Sequence, residues 1–488
     1  MTDARGQFAF TFDQGRCTGC KACQIACKDD NRLPVGVTWR RVYESSGGAL
    51  PPEPVGLAAM DVFTYYTSMS CNHCTDPICV SVCPSTAMHK GEAGLVLVDP
   101  GVCIGCGYCA MACPYEAPQY RADLGIMSKC DGCLDRVEQG LSPACVAACP
   151  TRALGFEFRD QPVQPPPRIE PLPDPGLTRP NLVLEAHPRA LAVAPDEVST
   201  ITRAQPDLLH EAPLAAFTVL VQVAAGLVAM LGLTMPWGEF AAPLPLVATI
   251  VAGVLLGIAL VVSTSHLGSP QRAMNALRNL RTSWLSREIA ITVLFGGAPV
   301  LLCGALLLWP EASPVHVVLA GTAGLTGVTL VLVIGRVYTL RTVPAWNSRH
   351  TTIGFLVTAG AAGSMLLAML AGIDAGGSAS TRSVLYLVGA GVLLAGQWAR
   401  ARYLRGLASG SSAARLSFEI LTVSHPRLRS MGHRSGWGGA ATAIAAALAA
   451  VWSPLLSVVL GAIALLLLVA NQSVLRLFFY RSMIREGR

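Results

Sequence analysis

The chain contains a series of long apolar stretches that begins near residue 214. Each stretch is close to or above the length of about 20 residues that a helix needs to cross a bilayer. The stretches are apolar on all sides, whereas the helices of a large soluble bundle would carry polar faces. They therefore predict eight transmembrane helices, at 214–235, 244–264, 288–309, 315–335, 352–373, 383–399, 437–452 and 455–475. The seventh is short and rich in alanine and glycine.

The residues before these stretches divide into two parts. Residues 8–158 hold almost all of the cysteines, and residues 159–213 are rich in proline, for example in Gln164-Pro165-Pro166-Pro167. A proline-rich segment is extended and builds no core of its own, which favours a linker over a strap packed along a partner. The mean hydropathy of +0.48 and the 14% of charged residues are too apolar for a soluble protein of 488 residues. We therefore predict a cysteine-rich domain at 8–158, a linker at 159–213 and a membrane domain at 214–488.

Sixteen of the 17 cysteines lie between residues 17 and 149, in four groups of four. Two groups share the spacing C-x2-C-x2-C-x3-C, which is the bacterial ferredoxin run, and thiolates are soft ligands that suit iron–sulfur clusters. The groups are Cys17, Cys20, Cys23, Cys27; Cys71, Cys74, Cys79, Cys83; Cys103, Cys106, Cys109, Cys113; and Cys130, Cys133, Cys145, Cys149. The spacing predicts four [4Fe–4S] clusters in an α+β ferredoxin-like domain, followed by an all-α polytopic membrane domain.

Two other chemistries could use these cysteines. Zinc sites usually bring two C-x2-C pairs at wider separation and need no third cysteine three residues after the second. Disulfides would need an oxidising compartment, and no secretory signal is visible at residues 1–12. The spacing therefore favours clusters, with the fourth cysteine of each run expected near a helix start.

In two-cluster ferredoxins the fourth cysteine of one run binds the cluster of the other run. If the groups here exchange their fourth cysteines in the same way, four ligand sets result, although the spacing does not prove the pairing. The sets would be Cys71, Cys74, Cys79, Cys113; Cys103, Cys106, Cys109, Cys83; Cys17, Cys20, Cys23, Cys149; and Cys130, Cys133, Cys145, Cys27.

The distribution of charge predicts the orientation in the membrane. Arginines concentrate in the loops after the second, fourth and sixth spans and in the tail, whereas the opposite loops carry Glu239, Glu311 and Asp374. The positive-inside rule then places both termini and the cysteine-rich domain in the cytoplasm, at the inner membrane. The net charge of +6 comes mostly from this asymmetry, so it does not indicate nucleic-acid binding. Arg278, Arg281 and Arg287 could instead serve a quinone site or an interface.

Two ionisable residues lie at one membrane face, on adjacent predicted helices. His266 closes the second span and Glu288 opens the third. Quinol oxidation releases two electrons and two protons, so it needs proton acceptors at the bilayer edge; a histidine titrates in the right range, and an acid in a membrane segment is a functional candidate. An ordinary interfacial position for both is an equal alternative. Gln222 and Gln397 are expected to form hydrogen bonds between helices.

Several motifs occur together in this sequence. The N-terminal ones are Arg16-Cys17-Thr18-Gly19-Cys20-Lys21, Ser70-Cys71-Asn72-His73-Cys74 and Lys129-Cys130-Asp131-Gly132-Cys133. Through them residues 8–190 resemble the iron–sulfur subunit of the dimethyl sulfoxide reductase family. Residues 210–488 are similar to its membrane anchor, through His266-Leu267-Gly268, Ser283 to Glu288 and Pro344-Ala345-Trp346-Asn347. The chain thus resembles two subunits joined end to end, with the junction near 191–209.

The resemblance implies roles for these parts. The anchor handles menaquinol from the quinone pool at the positions of His266 and Glu288, and the cluster subunit relays electrons to a separate molybdopterin catalytic subunit. A cytoplasmic cluster domain would be closer to related sulfite-oxidising complexes, in which electrons run from substrate to quinone. An ion-translocating redox module is the other function class, but it should show acids or lysines at mid-membrane along several spans, and these spans show none.

Overall fold

The computed structural model describes residues 6–48, 62–91, 93–161, 163–192, 199–200, 211–237, 243–310, 313–373, 378–424 and 426–485. Most of the predicted junction at 191–209 lies outside these residues, as do Glu239, Glu311 and Asp374.

The N-terminal part is built on two small sheets and two hairpins. The strands are β1 Gln7–Asp13, β2 Arg41–Gly47, β3 Phe63–Met69, β4 Met88–Lys90, β5 Val96–Val98, β6 Gln119–Arg121, β7 Ile126–Ser128, β8 Leu154–Arg159, β9 Leu182–Glu185 and β10 Ser199–Thr200. In the first sheet, β1 pairs with β8 in antiparallel and with β9 in parallel orientation, so that Phe10 stands opposite Phe156 and Leu182. In the second sheet, β2 lies between β10 and β3. The hairpins are β4–β5 and β6–β7.

Short helices connect the strands. They are α1 Ala22–Asp30, α2 Ile78–Val82, α3 Tyr108–Ala112, α4 Leu134–Glu138, α5 Ala144–Ala147 and α6 Pro188–Ala192. Aromatic and aliphatic side chains such as Phe12, Tyr65 and Leu154 form a common core with the cysteines. The sheets therefore serve as a frame that holds the cysteine-bearing loops, as expected of an α+β cluster domain.

The C-terminal part is all helical, and within the described residues eight of its helices are long and apolar enough to cross a membrane. This confirms the eight predicted spans. The helices are α7 Ala212–Thr234, α8 Leu244–Ser265, α9 Trp284–Leu308, α10 Ser313–Tyr338, α11 Arg349–Ile373, α12 Ala379–Ala408, α13 Ser412–Thr422, α14 Pro426–Trp452 and α15 Pro454–Arg481, of which α13 is too short to span. Buried α7 packs against α8, α10 and α11, while α14 packs against α12 and α15.

Two helices extend farthest beyond their predicted spans. α12 continues to Ala408 instead of ending near 399, and α14 begins at Pro426 instead of 437. The added turns carry arginines, which a hydropathy pattern excludes from a span although they continue the same helix. The amphipathic α13 lies between these two extensions and was not predicted.

Candidate functional site

The structure gathers cysteines from different sequence groups around common cavities. One open cavity, with about 310 Å³ of empty space, is lined by Cys17, Cys20, Cys23 and Cys149. A second, of about 300 Å³, is lined by Cys83, Cys103, Cys106 and Cys109. In each, three cysteines come from one group and the fourth comes from another. This is the arrangement that the exchange of fourth cysteines would produce.

The other eight cysteines also meet across groups. Cys74 and Cys79 interact electrostatically with Cys71 and Cys113. Cys27 interacts electrostatically with Cys130, Cys133 and Cys145. The Asn31 amide nitrogen lies 3.9 Å from Cys27 Sγ and 4.0 Å from Cys133 Sγ. We name the spatial sets the first quartet (Cys83, Cys103, Cys106, Cys109), the second quartet (Cys71, Cys74, Cys79, Cys113), the third quartet (Cys27, Cys130, Cys133, Cys145) and the fourth quartet (Cys17, Cys20, Cys23, Cys149).

In two of the groups a short helix ends between the third and the fourth cysteine. Cys79 lies in α2 and Cys109 in α3, whereas Cys83 and Cys113 follow the C-terminal ends of these helices. The expectation that the fourth cysteine lies near a helix start is therefore wrong for these two groups. Both capping residues have extended backbone (Cys83 φ −65°, ψ 117°), which ends the helix and separates the fourth cysteine from its own group.

Backbone amides point at several of the sulfurs. Cys83 Sγ accepts a hydrogen bond from Met88 N at 3.5 Å, and Cys130 Sγ accepts one from Gly132 N at 3.4 Å. Hydrogen bonds of this kind to the sulfurs tune the reduction potential of a cluster. The first and third quartets thus have backbone donors beside their thiols.

The cysteine cavities can be compared with the spacing that each metal group requires. All 17 cysteines are free. Among the described residues, no three histidine, cysteine, aspartate or glutamate side chains are placed to hold a single metal ion. A single zinc ion draws its ligands to within about 2.3 Å of itself, whereas a cubane keeps its four cysteines farther apart. Open four-cysteine cavities therefore fit the larger group.

The thiols are buried, and their chemistry depends on charge compensation. Burial, reinforced by neighbouring thiolates, raises the pKa of Cys27 to about 12, and burial raises the pKa of Cys106 to about 12 as well. A bound metal centre deprotonates its cysteine ligands and releases these protons. The buried Arg40 lies near Cys27, Cys130 and Cys145, held by hydrogen bonds to Ser68 Oγ and Ser70 Oγ. Its charge offsets that of the thiolates.

The four quartets follow one another in a series. Thiols of neighbouring quartets interact electrostatically. The pairs are Cys109 with Cys79, Cys71 with Cys130, and Cys145 with Cys23. The first quartet lies against the membrane domain, whereas Cys20 in the fourth quartet is exposed. The series therefore connects the membrane domain with a free surface of the cysteine-rich domain.

The connection between α8 and α9 is bonded to the backbone around the first quartet. Asn279 Nδ2 donates to the carbonyl oxygen of Cys83 at 2.8 Å, and Arg272 Nη1 donates to that of Cys103 at 3.3 Å. Ser269 N donates to the Ile104 oxygen at 3.1 Å. These contacts fix the membrane domain directly to the loops that carry the cysteines.

Three glycines allow the two backbones to touch at this point. A Cβ on Gly105 would lie 2.9 Å from Gly268 Cα, and a Cβ on Gly268 would collide with the Gly125 carbonyl oxygen. Gly105 and Gly125 also have positive φ values, which favour glycine. The loop after His266 is thus locked against the first quartet by shape as well as by hydrogen bonds.

Glu288 lies inside this interface. Its side chain is 4% exposed near the start of α9, and its carboxyl group makes no hydrogen bond or ion pair within the described parts of the chain. Its titratable neighbours are Tyr108 and Tyr338, each of which interacts electrostatically with it. The predicted acid is therefore buried at the boundary between the two domains.

Tyr108 joins this acid to the first quartet. It stands between Gly107 and Cys109, interacts electrostatically with both Glu288 and Cys106, and its hydroxyl donates to the Val337 oxygen at 2.6 Å. Burial, followed by the charge of Glu288, raises the pKa of Tyr108. The sequence did not indicate this residue, because it occupies a spacer position within the cysteine run, where only the spacing of the cysteines is informative.

The other predicted residues interact with groups other than the Glu288 carboxyl group. His266 directly follows α8, and its titratable neighbour is Glu211, not Glu288; burial lowers the pKa of His266. Arg278 and Arg281 are exposed, and Arg287 donates to the carbonyl oxygens of its own loop. Arg272, in the same loop, donates a hydrogen bond to the carbonyl oxygen of Cys103.

A cysteine-rich domain with cluster-type cavities, docked on eight membrane helices, defines a membrane-anchored iron–sulfur protein. Comparison with known families agrees. Residues 62–159 match the family model described as a 4Fe-4S dicluster domain, and residues 207–481 match the DMSO reductase anchor subunit (DmsC). The chain belongs to the DMSO reductase anchor subunit family and carries the iron–sulfur domain on the same polypeptide.

Individual relatives match the iron–sulfur part. The chain is similar to the B subunit of the anaerobic dimethyl sulfoxide reductase of Haemophilus influenzae, with 51% identity over 37% of this chain and 89% of the relative. It is 52% identical to the subunit of the same name in Escherichia coli, over 37% and 88%. It is 39% identical to the thiosulfate reductase electron transfer subunit PhsB of Salmonella typhi, over 33% and 81%. The protein is thus an electron-transfer subunit with its own membrane anchor.

Proposed function

We propose that this chain passes electrons between menaquinol and a separate molybdopterin catalytic subunit. The position of Tyr108, which contacts the membrane domain and neighbours both Glu288 and Cys106, carries this proposal. It supports a quinol site at the boundary next to the first quartet. In this arrangement residues 8–158 relay electrons, and residues 214–488 anchor the relay and handle quinol. Residues 159–213 join these parts, although β9 within this segment also pairs with β1.

Each quartet would hold one [4Fe–4S] cluster through its four cysteines. When bound, such clusters supply one-electron carriers with potentials set by hydrogen bonds, charge and burial. The chain's own residues arrange this environment: amides of Met88 and Gly132 donate to sulfurs, and Arg40 supplies positive charge near the third quartet. The cysteine series supports a single path from the membrane face to the exposed fourth quartet.

Quinol oxidation requires that two protons leave with the two electrons. Glu288 is a proton acceptor without a competing partner among the described residues, placed beside Tyr108. His266 has its pKa lowered by burial, so its imidazole is neutral at pH 7 and is able to accept the second proton. Arg278, Arg281 and Arg287 would act at most on the rim of this site, since two are exposed and the third is bonded to its own loop.

The exposed end of the series would face the catalytic subunit. We place this domain on the cytoplasmic side of the inner membrane, because arginines concentrate in the loops on its side. We infer flow from quinol outward, because relatives of the iron–sulfur part are named as parts of reductases. A sulfur- or nitrogen-oxide is the matching class of terminal substrate.

Iron analysis tests the cluster assignment. Protein purified without oxygen should contain about sixteen irons per chain, four for each quartet. The lone Cys303 of α9 offers a matched control, because Cys303→Ser should leave the iron content unchanged. An iron content near half of this value, after anaerobic reconstitution, would contradict the four-cluster assignment.

A further inference from the structure

The membrane domain contains a polar cavity that Glu288 does not line. It has about 350 Å³ of empty space and lies between α11, α12 and α15. Its polar lining comes from His350, Gln397, Arg400 and Gln472. A side chain could also be added at Gly354, because a Cβ there would meet no atom within 4 Å. The cavity therefore has a polar lining and open space beside Gly354.

The polar groups of this cavity are incompletely bonded. Arg400 and Gln397 make no hydrogen bond or ion pair with any residue in the described ranges, and His350 Nδ1 is buried without a partner there. Gln222 forms the expected bond between helices, by accepting from Arg476 Nη2 at 3.0 Å, whereas Gln397 does not. The Arg400 and Gln397 donors line the cavity and are available to an acceptor bound there.

The charged neighbours of the cavity that the structure describes are cations. Arg400 interacts electrostatically with Arg429, and His350 interacts with Arg400 and Arg476. Arg476 is stabilised by Gln222, Thr358 and the ring of Phe355 at 3.7 Å, but it has no carboxylate partner in the described parts of the chain. A guanidinium cannot lose its proton to relieve this repulsion. The cavity therefore favours an anion.

The depth and opening of the cavity fit a lipid. The segment before α11 contacts the cysteine-rich domain, since Thr342 Oγ1 donates to the Ala112 oxygen at 3.0 Å, so His350 lies near that membrane face. α12 has 30 residues, or about 45 Å, which exceeds a hydrocarbon core of about 30 Å and leaves Arg400 near the boundary. Ile353 lines the cavity and is 42% exposed, on the surface that would face lipid.

We propose that this cavity binds the phosphate of an anionic phospholipid headgroup. Arg400 pairs with the phosphate, for which the guanidinium fork is well suited. Gln397 and His350 donate further hydrogen bonds, and the acyl chains leave the cavity past Ile353. The lipid supplies the negative charge that α11, α12 and α15 lack around Arg400 and Arg476.

Lipid retention by the purified full chain tests this proposal. The chain is first transferred from phosphatidylglycerol into detergent. Phosphatidylglycerol is then added back in increasing amounts, and the phospholipid bound to the chain is measured by native mass spectrometry. Arg400→Gln should weaken phosphatidylglycerol binding about tenfold or more, since it removes a charged hydrogen-bonding partner. Gly354→Leu should do the same by filling the cavity. Arg405→Gln, which changes an exposed arginine of the same helix, should have no effect.

Phosphatidylcholine and inorganic phosphate provide the comparison ligands. Phosphatidylcholine should bind more weakly than phosphatidylglycerol, and its binding should respond less to Arg400→Gln. Inorganic phosphate should not displace the lipid. The proposal is overturned if Arg400→Gln binds phosphatidylglycerol like the wild type, if free phosphate displaces the lipid, or if the mass lost in the variants is that of a quinone. Cluster content in each variant shows that the chain remains folded.

Discussion

The two polar sites on the cluster-facing side of the membrane domain differ in the sign of their charge. The site at Glu288 has a buried acid with no cation bonded to it among the described residues, and Tyr108 reaches it from the first quartet. The cavity at Arg400 has arginines without a carboxylate in the same part of the chain, and only membrane helices line it. One site is therefore coupled to the cysteines, and the other is coupled to the bilayer.

This difference follows from the chemistry of the two side chains. A carboxyl group in an apolar environment can be neutral or charged depending on whether it holds a proton, so it can take up a proton and release it. An arginine stays charged and must find polar partners or an anion. A buried acid next to a redox path thus suits proton-coupled electron transfer, whereas buried arginines away from it suit anion binding.

The largest expected effect is that of Glu288→Gln on cluster reduction, and it distinguishes the Glu288 site from the Arg400 cavity. Glu288→Gln keeps the shape of the side chain but removes the proton acceptor, so cluster reduction by a menaquinol analogue should fall about a hundredfold. Stopped-flow absorbance of the clusters measures the rate, and dithionite should still reduce them fully. Arg400→Gln serves as the control and should keep the wild-type rate. Equal rates in the wild type and Glu288→Gln would remove the acid from the quinol site.

A smaller effect on quinol-driven cluster reduction is expected from a change where the α8–α9 loop contacts the first quartet. Gly268→Val places a side chain against the Gly125 backbone and should separate the α8–α9 loop from the first quartet. Quinol-driven reduction should slow by about tenfold, because a misplacement of about 1 Å costs up to a hundredfold in a well-oriented reaction. Gly253→Val, at a position of α8 with open space around it, is the matched control. Iron content should be unchanged in both variants.

The smallest effect concerns pH. Burial lowers the pKa of His266 below its ordinary value of about 6.5, so the neutral, proton-accepting form persists at pH 6.5 and is lost only at lower pH. Quinol-driven reduction should therefore stay constant from pH 7.5 to about 6.5 and fall below that range. His266→Ala should lower the plateau and abolish the acidic fall. A wild-type profile in His266→Ala would show that this histidine accepts no proton.

The sequence predicts the membrane domain well because the bilayer imposes one length and one polarity on every span. It fails at the polar extensions of α12 and α14, where helices continue beyond the membrane and hydropathy carries no information. The cysteine spacing predicts local loops, and the exchange between groups depends on the sheets that bring distant segments together. Glu288 is visible as an acid in an apolar stretch.

The sequence pattern did not predict the roles of three residues, Tyr108, Gly268 and Arg400. The reason differs for each. Tyr108 matters because of its contacts with the other domain, and sequence alone does not show which side of the first quartet faces the membrane. The Gly268 contact depends on two backbones from segments far apart in the chain. Arg400 resembles a topology-setting arginine until the structure shows it lining a cavity without a partner in the described residues.

In the proposed pathway, electrons pass from the quinol site into the first quartet before they reach the other three quartets. Electron paramagnetic resonance of Cys109→Ser and Cys20→Ser, reduced in parallel with a menaquinol analogue and with dithionite, tests it most directly. Each variant should lose or alter one cluster. Quinol should still reduce the three intact clusters in Cys20→Ser but should fail to do so in Cys109→Ser, where only dithionite succeeds. Rapid quinol reduction of the intact clusters in Cys109→Ser would contradict the claim.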